Sequence, residues 1–217
     1  MTAISRPATQ KAWSSAEAVI RARRSVRAYG PDPVQQTDLL AILEAGRWAP
    51  SPHNSEPWRF AVLCEATSKE RLARAMGERW RQDLTRDGVS SDAINRALQR
   101  SLLRITNPPV VVVVCLCRDG LDEYPDQTRQ QAELLMAAHS IGSAIQNMML
   151  VARERGLASG WMCAPLFCPD DVVSALELPE DWSAQGLLLL GHPVAWPEPR
   201  ERRPMPELIR WVDEPDV

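Results

Sequence analysis

Apolar positions along the chain switch repeatedly between helical and strand spacing. From Ser14 to Ala22 the pattern is helical, and "TDLLAILEAGRWA" repeats it, with Leu39, Leu40, Leu43 and Trp48 on one stripe and Thr37 as the predicted N-cap. Residues 58–64, "WRFAVLC", alternate instead, predicting a strand with Trp58, Phe60 and Val62 on one face. The stretch between them, "APSPHNSEPWRF" at 49–60, is the connection from helix to strand. Two charged helices follow, with Leu72, Met76, Trp80 and Leu84, then Ile94, Leu98, Leu102 and Ile105, at helical spacing. Both read as amphipathic surface helices forming a lid-like excursion. Pro108 and Pro109 stop the second, and "VVVVVCLC" at 110–117 is short and β-branched enough to predict a buried strand.

Residues 127–155 begin polar and become apolar on nearly every face through "ELLMAAHSIGSAIQNMMLVA". Such a helix belongs in a core or a subunit interface, with Gly156 as its αL C-cap. A short strand near 159–162, a helix starting near Pro169 and a strand at 186–191 complete a helix-rich α+β arrangement around a small sheet. The tail from His192 to Val217 holds six prolines, two tryptophans and four arginines. It cannot form a long helix, yet Trp196, Leu208, Ile209 and Trp211 are poor residues to leave in water. An extended arm clamped on a partner subunit accounts for both features. No repeat or linker divides the chain, so residues 1–217 read as one domain, with 192–217 as the arm.

Composition adds exclusions. The chain has 217 residues, 45% of them apolar and 24% charged, with a net charge of −3, which lacks the basic excess favouring nucleic acid or a membrane surface. Five cysteines, odd in number and without CxxC pairing, suit reduced cytoplasmic thiols. His53, His139 and His192 lie too far apart in sequence to suggest a metal site, and the N-terminus has no signal-type apolar stretch.

Candidate chemistry begins with arginine. Arg21, Arg23, Arg24 and Arg27 surround Ser25, and Arg200, Arg202 and Arg203 cluster near the other end. Guanidinium groups from two remote segments can clamp a phosphate bidentately, each charge-assisted bond contributing about 1.5–3 kcal/mol. Two solvated basic surfaces are the competing reading, and spacing alone does not decide between them. No GxGxxG, P-loop or GxSxG pattern is present, so a phosphate would be held by side chains and hydrolase chemistry has no support.

Four stretches, "RRSVRAYGPDPV", "APSPHNSEPWRF", "GLASGWMCAP" and "GHPVAWPEPRERRP", resemble in order and spacing the signature segments of the FMN-dependent nitroreductase superfamily. The resemblance implies an α+β, nitroreductase-like fold with a small central mixed or antiparallel sheet packed by helices. It also implies a homodimer with exchanged C-terminal arms and FMN at the subunit interface. Arg23, Ser25 and Arg27 fall where the family holds the phosphate, ribityl chain and N1/C2 edge of the ring, with Arg24 in the same cofactor-binding cluster. Pro50, Ser51, Pro52 and Asn54 would reach the ring from the other subunit. Cys163 and Ala164 match the turn offering backbone N–H groups near N5 and O4, and Arg200 and Arg202 match the second half of the phosphate clamp. The implied chemistry is ping-pong: NADH or NADPH delivers hydride to N5, leaves, and a small-molecule acceptor takes its place. It needs no protein acid or base.

"MGERWRQDLTRDG", "YPD" at 124–126, "WMCAPLF" and "LELPEDW" further resemble the flavin-binding C-terminal domain of the bifunctional deazaflavin-coenzyme glutamate ligases. That resemblance adds a dehydro-deazaflavin precursor to nitro and quinone compounds as the implied acceptor. A flavin-binding storage or sensor protein is the alternative from another class. An oxygen-using, flavin-cannibalising enzyme that makes the lower ligand of cobalamin is disfavoured, because "RRSVR" replaces its arginine-aspartate pattern. Glu56 stands where the family often has Gln; a carboxylate at the ring edge would oppose the reduced anion, so a structural hydrogen bond is expected for it. Cys163 and Trp161 are expected to be packing residues, Trp161 in the core. His53 reads equally as a substrate contact or a solvent-facing loop residue.

Overall fold

The computed structural model describes residues 15–213 and forms three layers, helices on both faces of a four-stranded sheet. The strands are β1 (Trp58–Leu63), β2 (Val110–Cys117), β3 (Ala158–Met162) and β4 (Trp182–Gly191). Their order is β1-β2-β4-β3, and every pairing is antiparallel, which settles the mixed-or-antiparallel expectation. The start of the predicted helix at Ser14, the N-terminal segment before it and the last four residues of the arm lie outside the described residues.

β2 sits at the centre, and all of its residues are buried. Its side chains alternate in destination. Val110, Val112, Val114 and Leu116 join one core, with Ile42 of α2 (Gln36–Arg47) and Ile141, Ile145 and Met148 of α5 (Gln127–Glu154). Val111, Val113 and Cys115 join the other, with Leu72 and Met76 of α3 (Ala66–Arg86), Ile105 of α4 (Ser91–Thr106) and Val172 of α6 (Pro169–Leu176). An apolar run without alternation is what a strand covered on both faces requires. Each such side chain contributes about 1.5–3 kcal/mol by burial.

The same cores correct three expectations. The α3–α4 pair is not a detached lid, because Leu72 and Ile105 are wholly buried and close the second core. Lys69 reinforces that closure from inside, donating to the carbonyls of Pro108 and Pro109 at 2.8 and 3.2 Å. α2 begins at Gln36 with Gln35 as its N-cap and no side-chain cap, so Thr37 lies inside the helix. β4 starts at Trp182, well before the predicted 186, because its first residues are too polar to read as strand. Gly156 does close α5 with φ +77°, as its position predicts. By length and composition α5 could cross a membrane, yet Ile141 to Ala152 on its inner face carry a core.

Candidate functional site

Residues 23–29 leave α1 (Ala16–Ala22) in extended form and run along the free edge of β3. Val26 is buried, and its N–H donates to Ser159 O at 2.9 Å. Tyr29 Oη donates to Val26 O at 2.8 Å and to Leu189 O at 3.3 Å, fastening the segment to the sheet. Successive side chains of extended backbone alternate. Burying Val26 therefore turns Ser25 and Arg27 outward together, and both are exposed. Gly160 permits this approach, since a Cβ there would come within 2.5 Å of Val26 O. The Arg24 guanidinium instead turns back, donating to the carbonyls of Arg21 and Arg23 at 2.6 and 2.9 Å.

The two arginine segments come within electrostatic reach of each other. The arm folds back over its own chain, with Gly30 N–H donating to His192 O at 2.8 Å and Val194 N–H to Ala28 O at 3.2 Å. Further on, the Arg153 guanidinium stacks 3.6 Å from the centre of the Trp196 ring. The chain thereby brings Arg202 close enough that burial, then Arg202 and Arg24, pull the Arg23 pKa below its ordinary value. Arg153 is lowered likewise by burial and by Arg24. The two charges that shift Arg23 are both those of arginines. Like charges gathered in partial burial leave a strong demand for an anion. Arg153 was missed in the sequence because it sits at a helix end, where a basic residue is ordinary.

A cleft of about 680 Å³ opens beside α5. Pro50, Trp161 and Cys163 line it with a polar stripe from α5, His139, Ser143, Gln146 and Asn147. These fall at i, i+4, i+7 and i+8, one helical face, so the stripe was readable in an otherwise apolar helix. Trp161 corrects its expectation: it is 40% exposed and forms cleft wall rather than core. Gly186 makes room for it, since a Cβ there would lie 2.9 Å from the indole Nε1. The register between β2 and β4 slips beside that glycine, and Gln185, left between the paired Gly186 and Ala184, is turned into the cleft. Cys163 is exposed and precedes the 3-10 turn Ala164–Phe167. In that turn Leu166 N–H donates to Cys163 O at 3.1 Å, so the amides of Cys163 and Ala164 come before its own bonds begin.

The helix-to-strand loop is tightly specified. His53, Asn54 and Glu56 all adopt left-handed φ values of 53°, 53° and 46°. For residues other than glycine each costs about 1–2 kcal/mol, least for Asn and His, and persists only where surroundings hold it. Glu56 N–H donates to Ser51 Oγ at 3.0 Å, and Asn54 Nδ2 donates to Glu56 Oε1 at 3.3 Å. Arg59 Nη1 donates to the carbonyl of Glu56 at 3.0 Å. Glu56 thus has the structural hydrogen bond expected of it. Pro50 reaches the cleft within one chain, whereas Ser51, Pro52 and Asn54 are not among its lining residues.

An edge-docked arginine segment, a returning arm that adds Arg202 and a polar-striped cleft ending at turn amides form a site whose shape and charge fit a flat ligand with an anionic tail. The chain belongs to the nitroreductase family, whose pattern it matches over residues 20–192. It is 30% identical over 207 residues to the 5,6-dimethylbenzimidazole synthase of Rhodospirillum rubrum, covering 89% of this chain and 86% of that one. It is 27% identical over 190 residues to the NAD(P)H nitroreductase YfhC of Bacillus subtilis, covering 86% and 89%. Among solved structures it is similar to a nitroreductase of Desulfovibrio desulfuricans in complex with FMN, with a TM-score of 0.70, 26% identity, and coverage of 93% and 98%.

Proposed function

We propose that the protein is an FMN-dependent oxidoreductase that passes hydride from NADH or NADPH to a small organic acceptor. The observation that carries this reading is the convergence of Arg23 and Arg202, with Arg24 and Arg153 nearby, at one end of a family fold. That surplus of guanidinium groups fits a phosphate, and the Trp161-walled cleft fits a flat ring. Bound FMN supplies the hydride-accepting and hydride-donating chemistry. Arg23 and Arg202, with Arg200, would hold its phosphate; Ser25 and Arg27 would line the ribityl chain and ring edge. The amides of Cys163 and Ala164 would donate to the ring's polar edge, Pro50 would line the ring site from the same chain, and Ser51, Pro52 and Asn54 would close over it from a second copy of the chain. None of these residues needs to move a proton, which suits a ping-pong exchange of donor and acceptor at one open face.

The homodimer is supported by the apolar side chains the arm leaves in water, Met205, Leu208, Trp211 and Val212 among them. Nitro and quinone compounds and a dehydro-deazaflavin precursor are the acceptors this reading allows. A second reading, synthesis of 5,6-dimethylbenzimidazole, draws support from the 30% identity with the Rhodospirillum rubrum synthase, although the sequence motifs disfavour it.

Purified protein is expected to be yellow and to bleach anaerobically on addition of NADH or NADPH. Colourless protein that takes up no added FMN overturns the proposal. Bound flavin that stopped-flow mixing finds inert to both donors favours a storage or sensor protein. Parallel incubations with a nitroaromatic, a dehydro-deazaflavin and, in air, reduced FMN alone separate the acceptors from the synthase reading. Only the last yields 5,6-dimethylbenzimidazole if that reading holds.

A further inference from the structure

A second cavity, of about 530 Å³, lies on the opposite face of the sheet, between α3, α4 and the turn after β3. The two spaces share one wall. Trp161 faces the cleft already described and Met162 this one, because neighbouring side chains of an extended strand alternate; at the turn that follows, Cys163 lines the cleft and Ala164 this cavity. Met76 and Trp80 of α3 continue the apolar wall opposite Met162. Its volume is within the range of small-molecule sites, about 300–1,000 Å³.

Charge sets this cavity apart from a packing gap. The one carboxylate lining it, Asp83, is already matched by Arg79 at 3.3 Å and Arg86 at 3.6 Å. Arg100 and Arg104 also line it, one turn apart on α4 and so on one face. Among the described residues neither has a carboxylate within ion-pair distance. Two adjacent guanidinium forks over an apolar wall that includes an indole match a flat hydrophobic body carrying a carboxylate or phosphate.

We propose that this cavity is a binding site for a small aromatic anion, with Arg100 and Arg104 holding the anionic group and Trp80, Met76 and Met162 holding the ring. The assignment does not depend on the flavin reading, because it uses none of the residues placed in the clamp or the cleft. Its test is calorimetric titration of the purified full chain with naphthoate, naphthyl phosphate and neutral naphthalenemethanol. At least one anion is expected to bind about tenfold more tightly than the alcohol, and the tighter of the two identifies the head group. The double variant Arg100→Gln/Arg104→Gln should erase that preference, while Arg23→Gln/Arg202→Gln should keep it. Equal affinity for the alcohol overturns the proposal, as does a preference that survives in the first variant or disappears in the second.

Discussion

Gly160→Ala places a methyl group where the structure has no space. Its Cβ would stand 2.5 Å from Val26 O and 3.0 Å from Tyr29 Oη. The first of these is backbone, so it cannot rotate away, and the segment 23–29 must move off the β3 edge. That movement breaks Val26 N–H to Ser159 O at 2.9 Å and Tyr29 Oη to Leu189 O at 3.3 Å, and exposes buried Val26. Two hydrogen bonds at about 1 kcal/mol each and partial loss of one Val side chain sum to about 2–4 kcal/mol. Denaturant unfolding should register a loss of that size, and FMN titration should show weakened binding because Arg23, Ser25 and Arg27 travel with the segment. A variant whose stability stays within about 0.5 kcal/mol of the parent would refute the docking, since that is the scatter of innocuous surface changes. Normal stability with undiminished FMN affinity would detach the segment from the cofactor site as well.

Trp196→Leu removes the ring on which Arg153 stacks and frees the arm at that point. Faster proteolysis between residues 196 and 204 and a several-fold weaker, more salt-sensitive hold on FMN are expected, and unchanged values for both would separate the arm from the clamp. In thiol labelling of the native chain at pH 8, Cys64 and Cys163 should react, being exposed, whereas buried Cys115 should not. Rapid labelling of Cys115, read by mass spectrometry, would contradict the packing of β2. Burial also pushes the Cys115 thiol up to about 12 from an ordinary 9.0, so the folded state keeps its proton where the unfolded chain has lost it. The stability tied to that proton is complete below pH 9 and falls as pH rises toward 12. Cys115→Ala should flatten this part of the alkaline unfolding curve, and an unchanged slope would assign it elsewhere.

Much of the layer structure was legible before folding. The unbroken β-branched run at 110–117 demanded a strand covered on both faces, and the stripes through Leu72, Met76 and Ile105 demanded a surface to cover. Both follow from local periodicity, which is a property of neighbouring residues. The family's signature segments likewise marked Arg23, Arg202 and Cys163 as candidates. Periodicity does not say what stands opposite a given face. α3 and α4 looked like a lid because their charged faces dominate the sequence, yet their narrow apolar stripes close a core.

The chain by itself determined its elements, its arginine clusters and the rigid loop at 49–60, because propensity, charge and proline constraint act within a few residues. Only the tertiary structure decided which charges meet. Arg23 and Arg202 come together through the docking of Val26 on one side and the return of the arm past Arg153 on the other. Trp161 left the core for the cleft because Gly186, paired across the sheet from β2, offers the space its ring occupies. Such outcomes depend on volumes and charges brought together from distant parts of the chain, and those exist only once the layers have closed.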